Sequence, residues 1–166
     1  MPAETAETFE GNALIKARAA REATGEPAIA DDSGIAAAAL GGRPGVRSAR
    51  YAGPRASDEE NLELLLRELD GAADRSVAYV CAMAYVGPAG EELTVEGRCE
   101  GVLAERPRGS GGFGYDPAFV PDDTGPKDER TMAELSPAEK HAISHRGRAA
   151  RALAERLGIA VRGGAR

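Results

Sequence analysis

The chain has 166 residues, enough for one ordinary hydrophobic core without disulfides or a structural metal, and it is expected to form a single domain over 1–166. Acidic side chains outnumber basic ones 27 to 21, which argues against a broad electrostatic grip on nucleic acid; a bound nucleotide would be small and held by a local cluster. Cys81 and Cys99 are too far apart for a CxxC motif, no apolar run nears the ~20 residues of a membrane helix, and no basic-then-apolar leader opens the chain, so a soluble cytoplasmic protein with buried, reduced thiols is expected.

Phe9, Ala13, Ala17 and Ala20 recur at helical spacing and predict a helix over 9–24, stopped by Gly25 with Pro27 beyond. Residues 27–30 read as a short apolar strand ending at two adjacent carboxylates, Asp31 and Asp32. Residues 35–40 fit either a helix or a short extended piece. Ser57, with Glu60 three residues on, forms a capping box for a helix whose Leu62, Leu65, Leu66 and Leu69 make one apolar stripe before Gly71. Two runs rich in small, β-branched and aromatic residues, 77–86 and 93–103, flank a Gly87-Pro88-Ala89-Gly90 turn and predict an antiparallel hairpin. The glycine-dense stretch 108–117, where backbone must approach something closely, leads into a strand over 118–120. Residues 122–130 read as a surface loop, and Ser136-Pro137-Ala138-Glu139 as a helix start. A last amphipathic helix over 145–157 is expected to bury Ala149, Ala150, Leu153 and Leu157 before Gly158.

Three polar clusters exceed what a plain core requires, and the expectation is that they converge. Asn12 and Lys16 lie one helical turn apart, hence on one face. Asp31-Asp32-Ser33-Gly34 sets two carboxylates side by side, where their repulsion calls for a cation. The third cluster joins the glycine loop and Tyr115-Asp116-Pro117 to Lys140 and His145-Arg146. Glycine lets backbone donors approach a flat ligand, an aromatic ring can stack on a base, and Arg with His can donate to a carbonyl oxygen. Singly, each is a common surface or cap feature. Together they suit phosphoryl transfer to water, with carboxylates for Mg²⁺, lysines for phosphate oxygens and a spare carboxylate for the attacking water. The sequence holds no GxxxxGK[ST], HExxH or GxSxG motif, and no strand followed by a GxGxxG that opens a helix.

Taken in order, Thr8-Phe9 with Asn12-Ala13 and Lys16-Ala17, Asp31-Asp32-Ser33-Gly34, Pro44-Gly45, Ser48-Ala49-Arg50-Tyr51, Gly111 through Pro117 and Ser144-His145-Arg146-Gly147 resemble the inosine/xanthosine triphosphate pyrophosphatase family, from Glu4 onward. The resemblance implies an α/β fold with an elongated mixed central sheet, flanking helices and two lobes around a nucleotide cleft, in a homodimer. It implies hydrolysis of ITP, dITP and XTP to the monophosphate and pyrophosphate with Mg²⁺ as cofactor. Asp32 would be the general base or water-orienting carboxylate, with Glu4, Asp31 and Asp32 facing the metal. Ser33, Lys16 and Lys140 would contact the triphosphate, and Asn12 would join them on the substrate. Phe113, Gly114, Tyr115 and Asp116 would form the base-and-sugar pocket, and His145 with Arg146 would read the purine 6-oxo group. The family's opening strand and Thr/Ser-x-Asn-x-x-Lys phosphate loop have no counterpart ahead of Glu4. The resemblance therefore leads to the expectation of a missing N-terminal strand, an unpaired sheet edge and one phosphate-binding lysine fewer, as in a shortened form of the enzyme. The alternative is a non-catalytic purine-nucleotide binder or an inactive fragment. Neither nucleic acid nor a membrane is an expected partner.

Overall fold

The described residues, 2–159 of this computed structural model, are organised by four strands in the order β1-β2-β3-β4: β1 Ala28–Ala37, β2 Ser76–Val86, β3 Glu92–Leu103 and β4 Phe119–Pro121. Met1 and 160–166, the two ends of the domain expected over 1–166, lie outside them. The helices are α1 Phe9–Thr24, α2 Asp58–Glu68, α3 Pro137–Ile143 and α4 His145–Arg156. The α/β class with flanking helices is as expected. Within it, all three described pairings are antiparallel, where a mixed sheet was expected, because the chain reverses direction between each strand and its sheet neighbour. Among the described residues no helix is long and apolar enough to cross a membrane.

α1 begins where the Thr8 side chain accepts a hydrogen bond from Gly11 N at 3.1 Å, and it ends at Gly25, whose φ of 75° lets its N–H reach Arg21 O. Its buried face is Asn12, Ala13 and Ala17; Ala20, expected on the stripe, is exposed. Ala13 and Ala17 meet Ala82, Ala84 and Val86 of β2, and these small side chains let the helix lie close on the sheet. On the opposite face a larger core gathers Ile35, Leu65, Tyr79, Leu103, Phe119 and Met132. Covered on both faces, β2 is an almost unbroken apolar run, whereas β3 alternates, with Glu96, Arg98 and Glu100 outward. The capping box at Ser57 and Glu60 opens α2 as expected, and Leu62 and Leu65 are buried.

β1 departs from expectation. It does not stop at Asp31 and Asp32 but carries on to Ala37, with Asp31 opposite Met83 and Asp32 opposite Ala82. Both carboxylates find partners on flanking helices, so charge interrupts the apolar pattern without interrupting the ladder. α4 also differs in detail: Ala149 and Leu153 are buried, Leu157 is half-buried and Ala150 is exposed. One position of helical rotation takes Ala150 off the stripe.

α4 rests directly on Gly97 of β3. A Cβ there would stand 2.3 Å from both Ala149 N and His145 O, which are backbone atoms with no freedom to yield. Gly97→Ala is expected to cost about 1–3 kcal/mol through overpacking and to shift the start of α4. Urea denaturation checks the loss, and an unchanged midpoint contradicts the packing described.

Cys81 and Cys99 are free and buried. Burial, and after it the neighbouring carboxylate of Asp31 or Asp123, pushes each thiol up to about 12. Both are inert structural thiols at neutral pH.

Candidate active site

Successive residues of a strand point to opposite faces, and this separates the two aspartates. Asp32 faces α1, where its Oδ1 accepts from Lys16 Nζ at 2.8 Å and its Oδ2 from Asn12 Nδ2 at 3.2 Å. Lys16 Nζ also reaches Glu4 Oε1 at 3.2 Å, and Arg50 Nη1 stands 3.5 Å from Glu4 Oε2. Asn12 is fully buried and its Oδ1 accepts from Ala6 N at 3.0 Å, which ties the segment carrying Glu4 to α1. Burial lowers the Lys16 pKa, but hydrogen bonds to Asp32 and Glu4 outweigh it, so the net shift is upward and the ammonium persists at neutral pH. Asp31 turns the other way, toward the start of α4, where Arg146 Nε donates to its Oδ2 at 3.0 Å and Arg146 Nη2 donates to Ser33 Oγ at 3.1 Å.

That second face of β1 is one wall of a cavity of about 160 Å³. Ser33 and Gly34 line it from β1, Ser48 and Ala49 from the turn after it, and Tyr79 from β2. Phe113 through Asp116 come from the glycine loop, and Lys140, His145 and Arg146 from α3 and α4. Asp116 is the structural hub. Its carboxylate is almost fully buried and accepts from Tyr79 Oη and Phe113 N, each at 3.0 Å, and from the Lys140 ammonium. Lys140 Nζ also sits 4.6 Å from the centre of the Phe113 ring, a cation–π contact with a ring that is 65% exposed at the cavity rim. Gly114 N donates to Asp58 Oδ2 at 2.7 Å, and Tyr115, itself buried, donates its hydroxyl to Ser48 O at 2.8 Å. The dense glycines of this loop serve the protein's own packing. A Cβ on Gly112, at φ 77°, would lie 2.1 Å from Asp116 Oδ2, and one on Gly109 would collide with the Ala133 backbone.

His145 stacks on Tyr79, with ring centres 4.9 Å apart and planes 12° apart, and its buried Nδ1 has no hydrogen-bond partner among the described residues. Burial first, and the Arg146 charge second, lower its pKa to about 4, so the ring is neutral at pH 7. A native pKa below the unfolded value of ~6.5 means that between those two values the unfolded chain binds a proton the native chain refuses. Stability from this group is therefore complete above pH 6.5 and falls as the pH drops toward 4, by about 2 kcal/mol between pH 7 and pH 5. The excess loss in the parent over His145→Gln in urea titrations at the two pH values measures it; equal losses contradict a neutral buried imidazole.

The expected clusters thus meet: Lys16–Asp32 joins the first to the second, and Arg146–Asp31 the second to the third. Asp31 is paired with Arg146 and Asp32 with Lys16, and among the described residues no group of three His, Cys, Asp or Glu side chains is placed to hold a metal ion. Lys140, expected on the triphosphate, is paired with Asp116 and lies over the Phe113 ring in the pocket wall. Sequence reasoning missed Tyr79, which reads as a core aromatic in an apolar strand, and Asp58, which reads as a first-turn helix acid. Ser48 stood within a quoted motif but carried no role.

This fold and site define an α/β protein whose cavity suits a flat ligand with a polar edge, with a lysine–carboxylate cluster on the other face of β1. The chain belongs to the Ham1 family, whose profile matches residues 1–156. It is 53% identical over 154 residues to a dITP/XTP pyrophosphatase of Cutibacterium acnes, covering 92% of this chain and 74% of that one. Among solved structures, the Staphylococcus aureus Ham1 protein superposes with a TM-score of 0.87 at 44% identity, over 94% of this chain and 79% of that one. A nucleoside-triphosphatase / dITP/XTP pyrophosphatase from Mycobacterium abscessus gives 0.81 at 50% identity, over 95% and 79%.

Proposed function

We propose that this chain hydrolyses dITP, ITP and XTP to the nucleoside monophosphate and pyrophosphate. The observation that carries the reading is the meeting of the three clusters through Lys16–Asp32 and Arg146–Asp31, which sets an aromatic-walled cavity on one face of β1 and a half-buried carboxylate–lysine pair on the other. The relatives named dITP/XTP pyrophosphatase support the same chemistry.

The purine lies in the cavity against Phe113, with its 6-oxo oxygen toward His145 and Arg146. Adenine's 6-amino group would leave those donors unpaired, a buried loss of roughly 1–3 kcal/mol per donor. The triphosphate extends toward Lys16, whose ammonium neutralises phosphate charge. Asp32 orients a water molecule and takes its proton as the new P–O bond forms and the α–β phosphoanhydride bond breaks; the electron pair leaves with pyrophosphate. Glu4 and Asp32 bracket one point, now held by Lys16 Nζ at 3.2 and 2.8 Å, and their hard oxygens fit Mg²⁺, which takes one or two carboxylates and completes its shell with phosphate and water. Bound there, Mg²⁺ would supply neutralisation of the charge on the transferring phosphate. The reading includes a homodimer acting on free nucleotides in the cytoplasm.

The test is Mg²⁺-dependent turnover of dITP, ITP, XTP and ATP with product analysis. Equal amounts of monophosphate and pyrophosphate from the 6-oxo substrates, with ATP spared, are expected. Orthophosphate as first product, or equal turnover of ATP, contradicts the reading.

A further inference from the structure

The mechanism above leaves Asp31 without a task, although it is a carboxylate set in a sheet and directed at a helix start. Arg146 is the second residue of α4, where the partial positive charge of the helix N-terminus disfavours a cation. Its long side chain is half exposed and would otherwise sample many rotamers. Two hydrogen bonds restrain it, both from one strand face: Nε–H to Asp31 Oδ2 at 3.0 Å and Nη2–H to Ser33 Oγ at 3.1 Å. A guanidinium has five N–H donors in a rigid plane. Two are spent on β1, and the other three belong to a group that lines the cavity.

We propose that Asp31 is a positioning residue for base selection: it fixes the Arg146 guanidinium so that the unspent N–H donors face the 6-oxo edge of the purine, and it does not ligate metal. The proposal rests on the nucleotide reading given above. Strand alternation is its basis, because the same step that aims Asp32 at Lys16 aims Asp31 at Arg146. The acidic pair thus divides its labour across the sheet, one carboxylate for the phosphate end and one for the base end.

The test compares the parent with Asp31→Ala, Asp31→Asn, Arg146→Ala and the Asp31→Ala/Arg146→Ala double variant, each first shown to melt cooperatively. Measured are kcat and KM for ITP and ATP, and the Mg²⁺ concentration for half-maximal activity. Expected for Asp31→Ala is a fall of roughly ten- to a hundredfold in the ITP-to-ATP ratio of kcat/KM, carried mainly by KM for ITP, with the Mg²⁺ midpoint unmoved. Asp31→Asn, which keeps an acceptor without its charge, falls between, and the double variant resembles Arg146→Ala alone because the two residues act as a unit. A uniform loss of kcat on both substrates with a raised Mg²⁺ midpoint, or additive losses in the double variant, overturns the proposal. If the parent does not hydrolyse ITP, the proposed function fails, and calorimetric titration with IMP and AMP then decides this inference by itself. A preference for IMP that narrows in Asp31→Ala supports it, and equal affinities in the parent overturn it.

Discussion

Replacing Asp32 with Asn is expected to lower turnover of ITP roughly 10²- to 10⁴-fold while leaving the fold intact. The change is nearly isosteric, and an amide oxygen can still accept from Lys16 Nζ or Asn12 Nδ2, which now stand 2.8 and 3.2 Å from the two carboxylate oxygens. What disappears is the negative charge that receives a proton from water. Because Asp32 lies within the β1–β2 ladder opposite Ala82, the backbone holds the new side chain where the old one stood. Steady-state kinetics with circular dichroism and a thermal melt on the same sample checks this; comparable rates for variant and parent remove Asp32 from its role.

The largest expected effect on stability is at Asp116. Its carboxylate collects Tyr79 Oη, Phe113 N and the Lys140 ammonium with almost no solvent contact, so Asp116→Ala leaves a buried hydroxyl and a partly buried cation without their acceptor. A loss of about 3–5 kcal/mol in urea denaturation is expected. Asp116→Asn retains an acceptor of the same shape and should lose less. The glycine loop hangs on the same carboxylate, so Asp116→Ala should also loosen Phe113 and weaken nucleotide binding. A loss below about 1 kcal/mol contradicts the view of Asp116 as the hub of the pocket wall.

The elements legible in the sequence were those governed by local chemistry. Gly25 closes α1, Ser57 with Glu60 opens α2, and the Gly87-Pro88 turn divides β2 from β3, all of which periodicity and capping reveal without tertiary information. The course of β1 was not legible, because two charges in a row read as an end when their partners, Lys16 and Arg146, lie 16 and 115 residues away along the chain. The same gap hid the division of the aspartates: side by side in sequence they look like one metal-binding pair, and only the pleat puts them on opposite faces. Tyr79 was invisible as a site residue for a similar reason. In an apolar strand it is indistinguishable from core, and its roles, stacking on His145 and donating to Asp116, come from elements far along the chain. The glycine loop was located correctly, but the backbone it approaches is in part the protein's own, at Ala133.

Whether one nucleotide spans both faces of this arrangement is decided most directly by a crystal structure of the chain with a non-hydrolysable inosine triphosphate analogue and Mg²⁺. The hypoxanthine ring is predicted to lie against Phe113 with its oxygen toward His145 and Arg146, and the phosphates to reach Lys16 and Asp32. A base bound outside the cavity, or a triphosphate directed away from Asp32, would contradict it.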